Sequence, residues 1–444
     1  MSDDSSTQSP GLDAGQDDGD EPPKLTGEER LFKEIQMQEE LLNALPDAIS
    51  DILPKKRQME KGVARVLPKE RLHDILRRSE HEKKLGQLQF KYLMLNVSDE
   101  LARVLLKFQE VYGDLYSEPC LVCLDDVHVH AAISMTEQLF CCGGFVCKSC
   151  AGDIKGLDKC PLCRESFAVN SAALYKWQVM TLAKRGVSWA QREAGILMID
   201  GMEGLQKQEK AGLEWLNKAA AQNDPSALHE LSSLYREGMA SELGKSQEKA
   251  NELLLKAANL GFANANSELG DCYYRGVNGF EEDDDEAYFR ASVAFALDGT
   301  DEEAAEILGY FHFDAESIPE PSLYLACHYL NIAASEDSSG DESFNYSIAL
   351  HKLNQHLHDG YKANGSDATP ALLFWLRKSR DLGHENGTRL LKKLESNGQS
   401  RCANCSKKVK ADEKLKQCSK CRAKWYCSKE CQVEAWRAGH KKDC

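Results

Sequence analysis

The sequence predicts a mainly α-helical chain, in which a stack of repeated helix pairs is flanked by two small cysteine-rich modules. Two observations support this prediction. A motif recurs at an interval of 38 residues near the middle of the 444-residue chain, and fifteen of its 17 cysteines lie in two clusters, at 120–163 and 402–444. Periods of about 20–50 residues are typical of stacked supersecondary units. Clustered C-x2-C pairs are typical of metal modules.

The chain begins with an acidic stretch, residues 1–28, that is rich in Asp, Ser, Gly and Pro and contains no aromatic residue. Such a segment buries too little apolar surface to offset the entropy lost on ordering, so we predict a disordered acidic tail. It has neither a basic start nor an apolar run, and therefore no signal peptide is expected.

Residues 29–113 are predicted to be helical. Leu31 and Ile35 begin an apolar series at helical spacing, which three prolines then interrupt, at positions 46, 54 and 68. A longer helix is expected around Lys84–Tyr112. Its apolar stripe favours a structural collar packed on the next domain over a binding role, because such stripes usually belong to the core.

The region 172–395 is predicted to be a helical repeat array. The segment 216–238 matches 254–276 at seven positions, which are Leu216, Ala219, Ala220, Ala227, Leu231, Tyr235 and Gly238 in the first copy. A weaker third copy passes through Ile307 and Phe311, and a degraded fourth is suggested at 374–391. The small alanines let paired helices approach closely, and the glycines suit helix ends.

The repeats resemble the Sel1-like branch of the tetratricopeptide family, whose pattern of a Leu-Tyr-x-x-Gly helix end followed by an Ala-rich helix appears here as LYREG and LLKAA. The resemblance implies stacked antiparallel helices with a protein-binding concave face. The acidic stretch 281–286 is interpreted as a solvated insertion between two helices, because it lacks the alternating ligands and central glycine of an EF-hand calcium loop.

The first cysteine cluster predicts two zinc sites. It contains three C-x2-C pairs and the adjacent pair Cys141–Cys142, and eight thiolates satisfy two tetrahedral ions. The cysteines of this cluster are Cys120, Cys123, Cys141, Cys142, Cys147, Cys150, Cys160 and Cys163.

The order of these cysteines resembles a RING finger over residues 118–168. The family's cross-brace implies that Cys120, Cys123, Cys147 and Cys150 hold one zinc, while Cys160 and Cys163 share the other with two ligands from the middle. Gly144 stands where a RING finger usually has histidine, and Cys141 can supply the missing ligand beside Cys142. The competing donors are His128 and His130.

The RING resemblance also implies that a ubiquitin-conjugating enzyme docks here. The positions of the family's contact residues are occupied by Val122, Pro161 and Arg164. An aromatic residue that many ligases carry between the third and fourth pairs is absent, and only Ile154 and Leu157 are apolar there. A RING-like zinc knot that only holds the helical domains together is therefore the alternative.

The second cluster predicts two more zinc sites. Its spacing is C-x2-C-x12-C-x2-C-x5-C-x3-C-x8-H-x3-C, which gives seven cysteines and one histidine for two ions. It resembles the MYND finger over all of residues 402–444. The family's interleaved topology implies two ligand sets: Cys402, Cys405, Cys427 and Cys431 for one zinc, and Cys418, Cys421, His440 and Cys444 for the other.

MYND fingers bind short peptides, often containing proline, and Gln432 and Trp436 match the family at its peptide-binding surface. Residues 401–444 contain 13 Lys+Arg and 5 Asp+Glu, a formal charge of +8 that bound thiolates and zinc lower to about +5. This basic surface is expected to attract acidic partner peptides. No base-reading helix or regular basic stripe is evident, which argues against nucleic acid as a partner.

The whole chain has 55 Lys+Arg against 71 Asp+Glu, a formal net charge of −16. Such an acidic chain is a poor general binder of nucleic acid or membrane surfaces, and no apolar run of about 18 residues predicts a membrane-spanning helix. We therefore expect an intracellular protein of the cytoplasm or nucleus. Cys272 and Cys327 are interpreted as small buried residues rather than nucleophiles.

The hypothesis from sequence is a protein-interaction scaffold with four structural zinc ions. In its first form it is a RING-type ubiquitin ligase whose repeats and MYND finger recruit protein partners. In its alternative form it is a non-catalytic adaptor in which both fingers are binding or structural modules. No P-loop, nucleophile elbow or dinucleotide fingerprint suggests another activity.

Overall fold

The computed structural model describes residues 26–44, 69–129, 131, 136–154, 157, 159–165, 172–203, 206–238, 244–313, 318, 321–359, 368–409, 414–441 and 444. Most of the predicted acidic tail and all three prolines that were expected to interrupt the helical pattern lie outside these residues. Helices dominate the described part, which confirms the mainly α fold class. None of the described helices is long and apolar enough to cross a membrane.

The chain divides into two compact units, Met1–Leu95 and Asn96–Cys444. In the first unit, helix α1 (Gly27–Ala44) packs antiparallel to the first part of α2 (Lys69–Tyr112). Phe32 lies 6.1 Å from Tyr92 between ring centroids, and Gln38 hydrogen-bonds His81 at 2.8 Å. Helix α2 begins well before the predicted start near Lys84.

Helix α1 begins at Gly27, so the last two residues of the predicted acidic tail, 27 and 28, are helical. The reason is a capping box. The Glu29 backbone N–H donates to the Thr26 hydroxyl at 3.2 Å, and the Thr26 N–H donates to the Glu29 carboxylate at 2.8 Å. These bonds satisfy two backbone donors that a helix start otherwise leaves unpaired.

Among its described residues, the second unit contains three two-stranded antiparallel sheets within the cysteine-rich modules. Strands β1 (Glu118–Pro119) and β2 (Asp126–Val127) pair, as do β3 (Thr136–Gln138) and β4 (Phe145–Cys147), and helix α3 (Lys148–Ile154) follows. The last module contains β5, β6, helix α16 and a π-helical turn, at Lys416–Gln417, Trp425–Tyr426, Lys429–Ala435 and Trp436–His440.

Between the modules, consecutive helices pack against each other as a solenoid. They are α4 Ala172–Lys184, α5 Ser188–Asp200, α6 Glu209–Ala221, α7 Pro225–Glu237, α8 Gln247–Asn259, α9 Ala263–Arg275, α10 Asp284–Leu297, α11 Glu302–Phe313, α12 Leu323–Ala333, α13 Asp341–Asp359, α14 Thr369–Asp381 and α15 Glu385–Gln399. The suggested fourth copy, 374–391, falls on the pair α14 and α15.

The positions that recur at the 38-residue interval form the core of the array. Leu216, Leu231, Leu254 and Leu269 lie in one buried cluster with the alanines of the motif. Gly238 and Gly276 end α7 and α9 with φ angles of 68° and 61°. This left-handed conformation favours glycine, as the sequence predicted for these helix ends.

Only the first part of the acidic stretch 281–286 lies between helices, and its last three residues form the first turn of α10. The Asp283 carboxylate accepts from the Glu286 N–H at 3.0 Å, so α10 begins at Asp284 and its acidic first turn lies at the positive end of the helix dipole. The sequence interpretation did not include this cap.

The end of α2 packs on the repeats. Phe108 is fully buried in a cluster with Ala263 and Val293 of α9 and α10. Arg290 donates to the Tyr112 hydroxyl at 2.7 Å and to two asparagines of α8 and α9. The expected collar therefore contacts the repeat array as well as Ala131 of the first cysteine-rich module.

Candidate metal centres

The structure brings the sixteen predicted ligands into four groups of four. Within each group the ligand atoms all lie within 4.8 Å of one another. The groups are Cys120, Cys123, Cys147 and Cys150; Cys141, Cys142, Cys160 and Cys163; Cys402, Cys405, Cys427 and Cys431; and Cys418, Cys421, His440 and Cys444.

The distances within these groups suit a tetrahedral zinc ion. A Zn–S bond of about 2.3 Å places tetrahedral sulfurs about 3.8 Å apart. The observed Sγ–Sγ distances are 3.9 Å for Cys123–Cys147, 3.9 Å for Cys142–Cys160, 3.6 Å for Cys405–Cys427 and 3.8 Å for Cys418–Cys444. Soft thiolates with at most one imidazole are ligands that zinc prefers, so the donor sets fit the ion.

Four of the C-x2-C pairs each form a turn with the same backbone geometry. The residue after each pair is not glycine yet has a positive φ: Leu124 at 64°, Arg164 at 64°, Ser406 at 57° and Arg422 at 54°. In each turn the N–H of this residue donates to the carbonyl of the first cysteine at 2.9–3.1 Å. The left-handed conformation costs energy for such residues, and ligand geometry provides a reason to retain it. We call these turns the four knuckles.

Backbone N–H groups point at the first sulfur of several knuckles. Burial alone would raise the pKa of the Cys120 thiol, but the N–H groups of Cys123, Cys147 and Val122 lower it to about 6. The pKa of Cys402 is lowered to about 6 in the same way. The thiolate, which is the form that binds metal, is therefore favoured at neutral pH at Cys120 and Cys402. Hydrogen bonds from neighbouring cysteine sulfurs instead raise the pKa of Cys150 and that of Cys427 to about 12.

The group that contains Cys141 depends on a sharp bend. The Cys142 and Gly143 N–H groups both donate to the Leu139 carbonyl, at 3.2 and 2.8 Å, and Gly143 has a φ of 88°. This bend brings both adjacent cysteines to one group. His128 is exposed and belongs to none of the four groups, whereas His130 lies outside the described residues.

In the C-terminal module, a short helix and a π-helical turn position the last ligands. The Ser428 hydroxyl caps α16 by accepting from the Cys431 N–H at 3.3 Å. The turn at Trp436–His440 then brings His440 Nε2 to 3.4 Å from Cys418 Sγ and 3.6 Å from Cys421 Sγ. Trp436 packs edge-on to His440, with 5.8 Å between ring centroids.

The C-terminal module shares a hydrophobic core with the last helix pair. Trp425 is buried in one cluster with Leu376 and Leu391 of α14 and α15. A Cβ at Gly398 would lie 2.4 Å from the Trp425 ring, so only glycine permits this approach. Arg377 donates to the Arg422 carbonyl and to Glu395, both at 2.7 Å. No pattern in the sequence indicated this packing.

The first module is held to the solenoid in a similar way. Phe145 and Val129 lie in one buried cluster with Leu182 and Trp189 of α4 and α5. The Trp189 indole N–H donates to the Gly143 carbonyl at 3.1 Å. Both cysteine-rich modules are therefore integral parts of the second unit.

The three residues predicted to contact a conjugating enzyme differ in their exposure to solvent. Val122 is exposed and Arg164 is exposed on its knuckle, while Pro161 is half-buried. The structure adds Leu162, which is 59% exposed and which the sequence analysis overlooked. Its position before the second cysteine of a knuckle, the same position as Val122, was the signal that could have identified it.

The two cysteines outside the clusters are buried in the repeats, as predicted. Burial raises the pKa of both thiols, that of Cys327 to about 12. A thiol that stays protonated in an apolar setting is a weak nucleophile, so neither is a candidate for catalysis.

Comparison with known protein families identifies two of the modules. The MYND finger family matches residues 402–444. The Sel1 repeat family matches four segments, 190–224, 225–262, 263–289 and 302–338. The chain therefore contains a MYND finger and Sel1 repeats, as predicted. The first matched repeat, 190–224, lies mostly before 216–238, the first copy of the motif seen in the sequence.

Individual proteins resemble parts of the chain. Chitin synthase regulatory factor 3 of Schizosaccharomyces pombe is 27% identical over 110 residues, which cover 24% of this chain and 11% of that protein. Two solved structures are also similar to this chain. One is a protective antigen of uropathogenic Escherichia coli with an SLR fold, at 18% identity and a TM-score of 0.42, covering 62% of this chain and 50% of that one. The other is a Sel1 repeat protein of Oxalobacter formigenes, at 21% identity and a TM-score of 0.37, covering 48% and 80%.

Proposed function

We propose that the chain is a protein-interaction scaffold whose RING-like module, residues 118–168, recruits a ubiquitin-conjugating enzyme. The observation that carries the proposal is the chemistry at the tips of the knuckles. In the RING-like module the residue before the second cysteine is apolar and exposed, Val122 at 41% and Leu162 at 59%. In the MYND finger the same positions are polar, Asn404 and Lys420.

The apolar tips are held in place by their knuckles. In each one the first cysteine and the residue after the second cysteine are hydrogen-bonded, as in the Leu124 N–H to Cys120 carbonyl bond of 2.9 Å and the Arg164 N–H to Cys160 carbonyl bond of 3.1 Å. A side chain on such a turn cannot retract into the core. Exposed apolar side chains on a rigid backbone are suited to protein recognition because little ordering entropy is lost on binding.

Arg164 lies beside the last cysteine of its knuckle and is exposed. Its guanidinium is available to hold both ubiquitin and its carrier, as the RING resemblance implies. The scaffold supplies no nucleophile. An acceptor amine attacks the thioester carbonyl, a C–N bond forms as the C–S bond breaks, and the amine proton passes to the departing sulfur, so that the conjugating enzyme leaves as a free thiol. The contribution of the scaffold is orientation.

Replacing Val122 or Leu162 by alanine should reduce ubiquitin transfer about tenfold, equivalent to about 1.4 kcal/mol of lost docking energy. Arg164→Ala should reduce transfer while leaving conjugating-enzyme binding nearly intact. All three variants should keep their zinc, because none of these side chains is a predicted ligand. Autoubiquitination with a panel of conjugating enzymes, alongside elemental analysis, measures both properties.

The matched control is Val433→Ala, which removes a valine that is 38% exposed on α16 of the MYND finger. Transfer by this variant should equal that of the wild type. A wild-type chain that supports no transfer with any conjugating enzyme would exclude the ligase and leave the adaptor. One observation favours the adaptor. The RING-like module shares a hydrophobic core with α5, and the MYND finger shares one with α14 and α15, so each module has a structural role.

The MYND finger is proposed to bind short acidic peptides at a surface formed by Gln432, Trp436 and Lys420. Gln432 and Trp436 are partly exposed, and the Lys420 ammonium lies 5.8 Å from the centre of the Trp436 ring. The indole face offers a packing surface for proline, and the lysine pairs with a carboxylate.

An acidic, proline-containing peptide should therefore bind the full chain at least about tenfold more tightly than a peptide in which lysines replace its acidic residues. Lys420→Ala and Gln432→Ala should weaken binding of the acidic peptide without loss of zinc. Fluorescence anisotropy measures both affinities. Equal affinity for the two peptides would contradict the charge argument.

A further inference from the structure

One of the four ligand groups contains two cysteines that are adjacent in the chain, Cys141 and Cys142. The other three groups take their ligands from pairs with two or three residues between them. Such pairs converge within a single tight or helical turn. Successive side chains of an extended backbone point to opposite sides, so adjacent ligands reach one ion only if the backbone bends sharply. We call residues 139–144, which contain the adjacent pair, the bent loop.

Hydrogen bonds within the bent loop define its conformation. The Leu139 carbonyl accepts from the backbone N–H groups of Cys142 and Gly143, and the Leu139 N–H donates to the Gly144 carbonyl at 2.8 Å. The loop contains two glycines in succession, and glycine loses more conformational freedom on folding than any other residue. Ordering the loop is therefore costly, and contacts from outside it contribute to holding the bend.

The first two helices of the repeat array contact the bent loop on both sides of its cysteines. The Phe140 ring packs edge-on against Tyr175 of α4 and Trp189 of α5, with 5.0 and 5.3 Å between ring centroids. The Trp189 indole N–H donates to the Gly143 carbonyl at 3.1 Å. A Cβ at Gly143 would lie 3.3 Å from the Leu182 side chain, so the loop backbone lies directly on the array. The residues that flank the two adjacent cysteines are therefore fixed by α4 and α5.

We propose that the repeat array positions the adjacent zinc ligands Cys141 and Cys142, and that Trp189 is the positioning residue. Trp189 is 3% exposed and makes two separate contacts with the bent loop, one through its ring and one through its N–H. Substitution of groups that orient metal ligands typically lowers metal affinity by about 10- to 100-fold. Helix α5 therefore belongs to this metal site, although it lies outside the RING-like module.

The same ligand group also connects α5 to a knuckle. Its other two members, Cys160 and Cys163, lie on the knuckle that exposes Leu162 and Arg164. The sulfurs of Cys142 and Cys160 are 3.9 Å apart, so the bent loop and this knuckle meet at one metal site. Displacement of α5 is therefore transmitted to the knuckle. For the recruitment of a conjugating enzyme this consequence rests on the proposed function, whereas the positioning of the ligands does not.

Zinc release from the full chain to a chromophoric chelator tests the role of Trp189. Trp189→Phe keeps an aromatic ring in the core and removes the N–H donor. One of the four zinc ions should leave at least about tenfold faster than in the wild type, and the other three at the wild-type rate. Phe140→Leu changes the same contact from the side of the module and should accelerate release of the same ion.

Alkylation with N-ethylmaleimide, read by mass spectrometry, identifies the group that loses its ion. The cysteines that become reactive first in both variants should be Cys141, Cys142, Cys160 and Cys163. The cysteines of the other three groups should stay protected as in the wild type.

Two control variants separate positioning from a general loss of stability. Trp177→Phe makes the same chemical change at a tryptophan of α4 that is 64% exposed, and it should release all its zinc at the wild-type rate. Leu197→Ala removes packing from the same buried cluster, but about 12 Å further along α5 than Trp189. It should lower the melting temperature and leave zinc release unchanged.

Wild-type release rates in both Trp189→Phe and Phe140→Leu would overturn the proposal. Simultaneous release of both ions of the RING-like module, or equal acceleration by Leu197→Ala, would also overturn it, because the cause would then be a loss of stability. A wild-type chain without zinc at Cys141 and Cys142 would overturn it together with the predicted metal site. Zinc release is measured without a conjugating enzyme, so its outcome is separate from that of the ubiquitin-transfer assay.

Discussion

Deletion of Cys444 should empty the second MYND zinc site and loosen the last helix pair of the solenoid. Cys444 is the last residue of the chain, and its sulfur lies 3.8 Å from that of Cys418. Without it the site has three protein ligands, and one strong thiolate bond is lost. A structural zinc contributes on the order of 10 kcal/mol to the folding of a finger peptide, so loss of a ligand has a large effect.

The shared core extends this effect beyond the finger. Trp425 packs on Leu391 and against Gly398, and Arg377 donates to the backbone carbonyls of the predicted ligand Cys421 and of Arg422. We therefore expect the zinc content of the full chain to fall from four ions to three, and hydrogen exchange in α14 and α15 to accelerate by about tenfold or more. The repeats at 225–289 should exchange at the rate of the wild type.

Replacement of the terminal residue gives the control for this deletion. Cys444→His keeps a zinc ligand at the position and should restore much of the metal affinity, whereas Cys444→Ser should behave like the deletion. Four zinc ions in the chain that ends at residue 443 would show that Cys444 is not a ligand.

Cys141→Ala should remove one zinc ion from the RING-like module and unfold the module around it. Cys141 lies in one group with Cys142, Cys160 and Cys163. Loss of its thiolate also disturbs the bend at Gly143, whose carbonyl accepts from Trp189 of α5. The expected results are three zinc ions per chain, a lower melting temperature and loss of any ubiquitin transfer.

The matched substitution is His128→Ala together with His130→Ala. His128 is exposed and belongs to none of the four groups, so the double variant should keep four zinc ions. If the double variant loses an ion and Cys141→Ala does not, the ligand role belongs to a histidine instead.

The sequence was most informative about short-range geometry. The C-x2-C spacing predicted the tight turns at the knuckles, because two cysteines three residues apart can reach one metal ion only if the backbone between them turns sharply. The 38-residue repeat led to the core positions, because Leu216 and Leu254 occupy the same place in successive helix pairs. Cys141 was expected in the second group because it is next to Cys142, and the structure brings both there. Whether these atoms bind zinc remains a prediction.

The long-range contacts could not be predicted from the sequence. The packing of Trp425 on α15 depends on Gly398, which lies 27 positions earlier and outside any motif. Phe108 belongs to the helix around Lys84–Tyr112 whose apolar stripe was expected to pack on the next domain, but its partners Ala263 and Val293 are remote in sequence. By contrast, Thr26 and Glu29 form a local capping pattern that the sequence does contain and that was overlooked.

The packing of Trp425 on the last helix also affects how this chain can evolve. Recombination that moves the finger alone, by a break between 399 and 402, would expose the indole in the recipient and leave an apolar hollow beside Gly398 in the donor. The unit that can be exchanged intact is therefore α14, α15 and the finger together. Relatives that inherited the finger from such an ancestor should also retain a glycine three to four residues before its first cysteine.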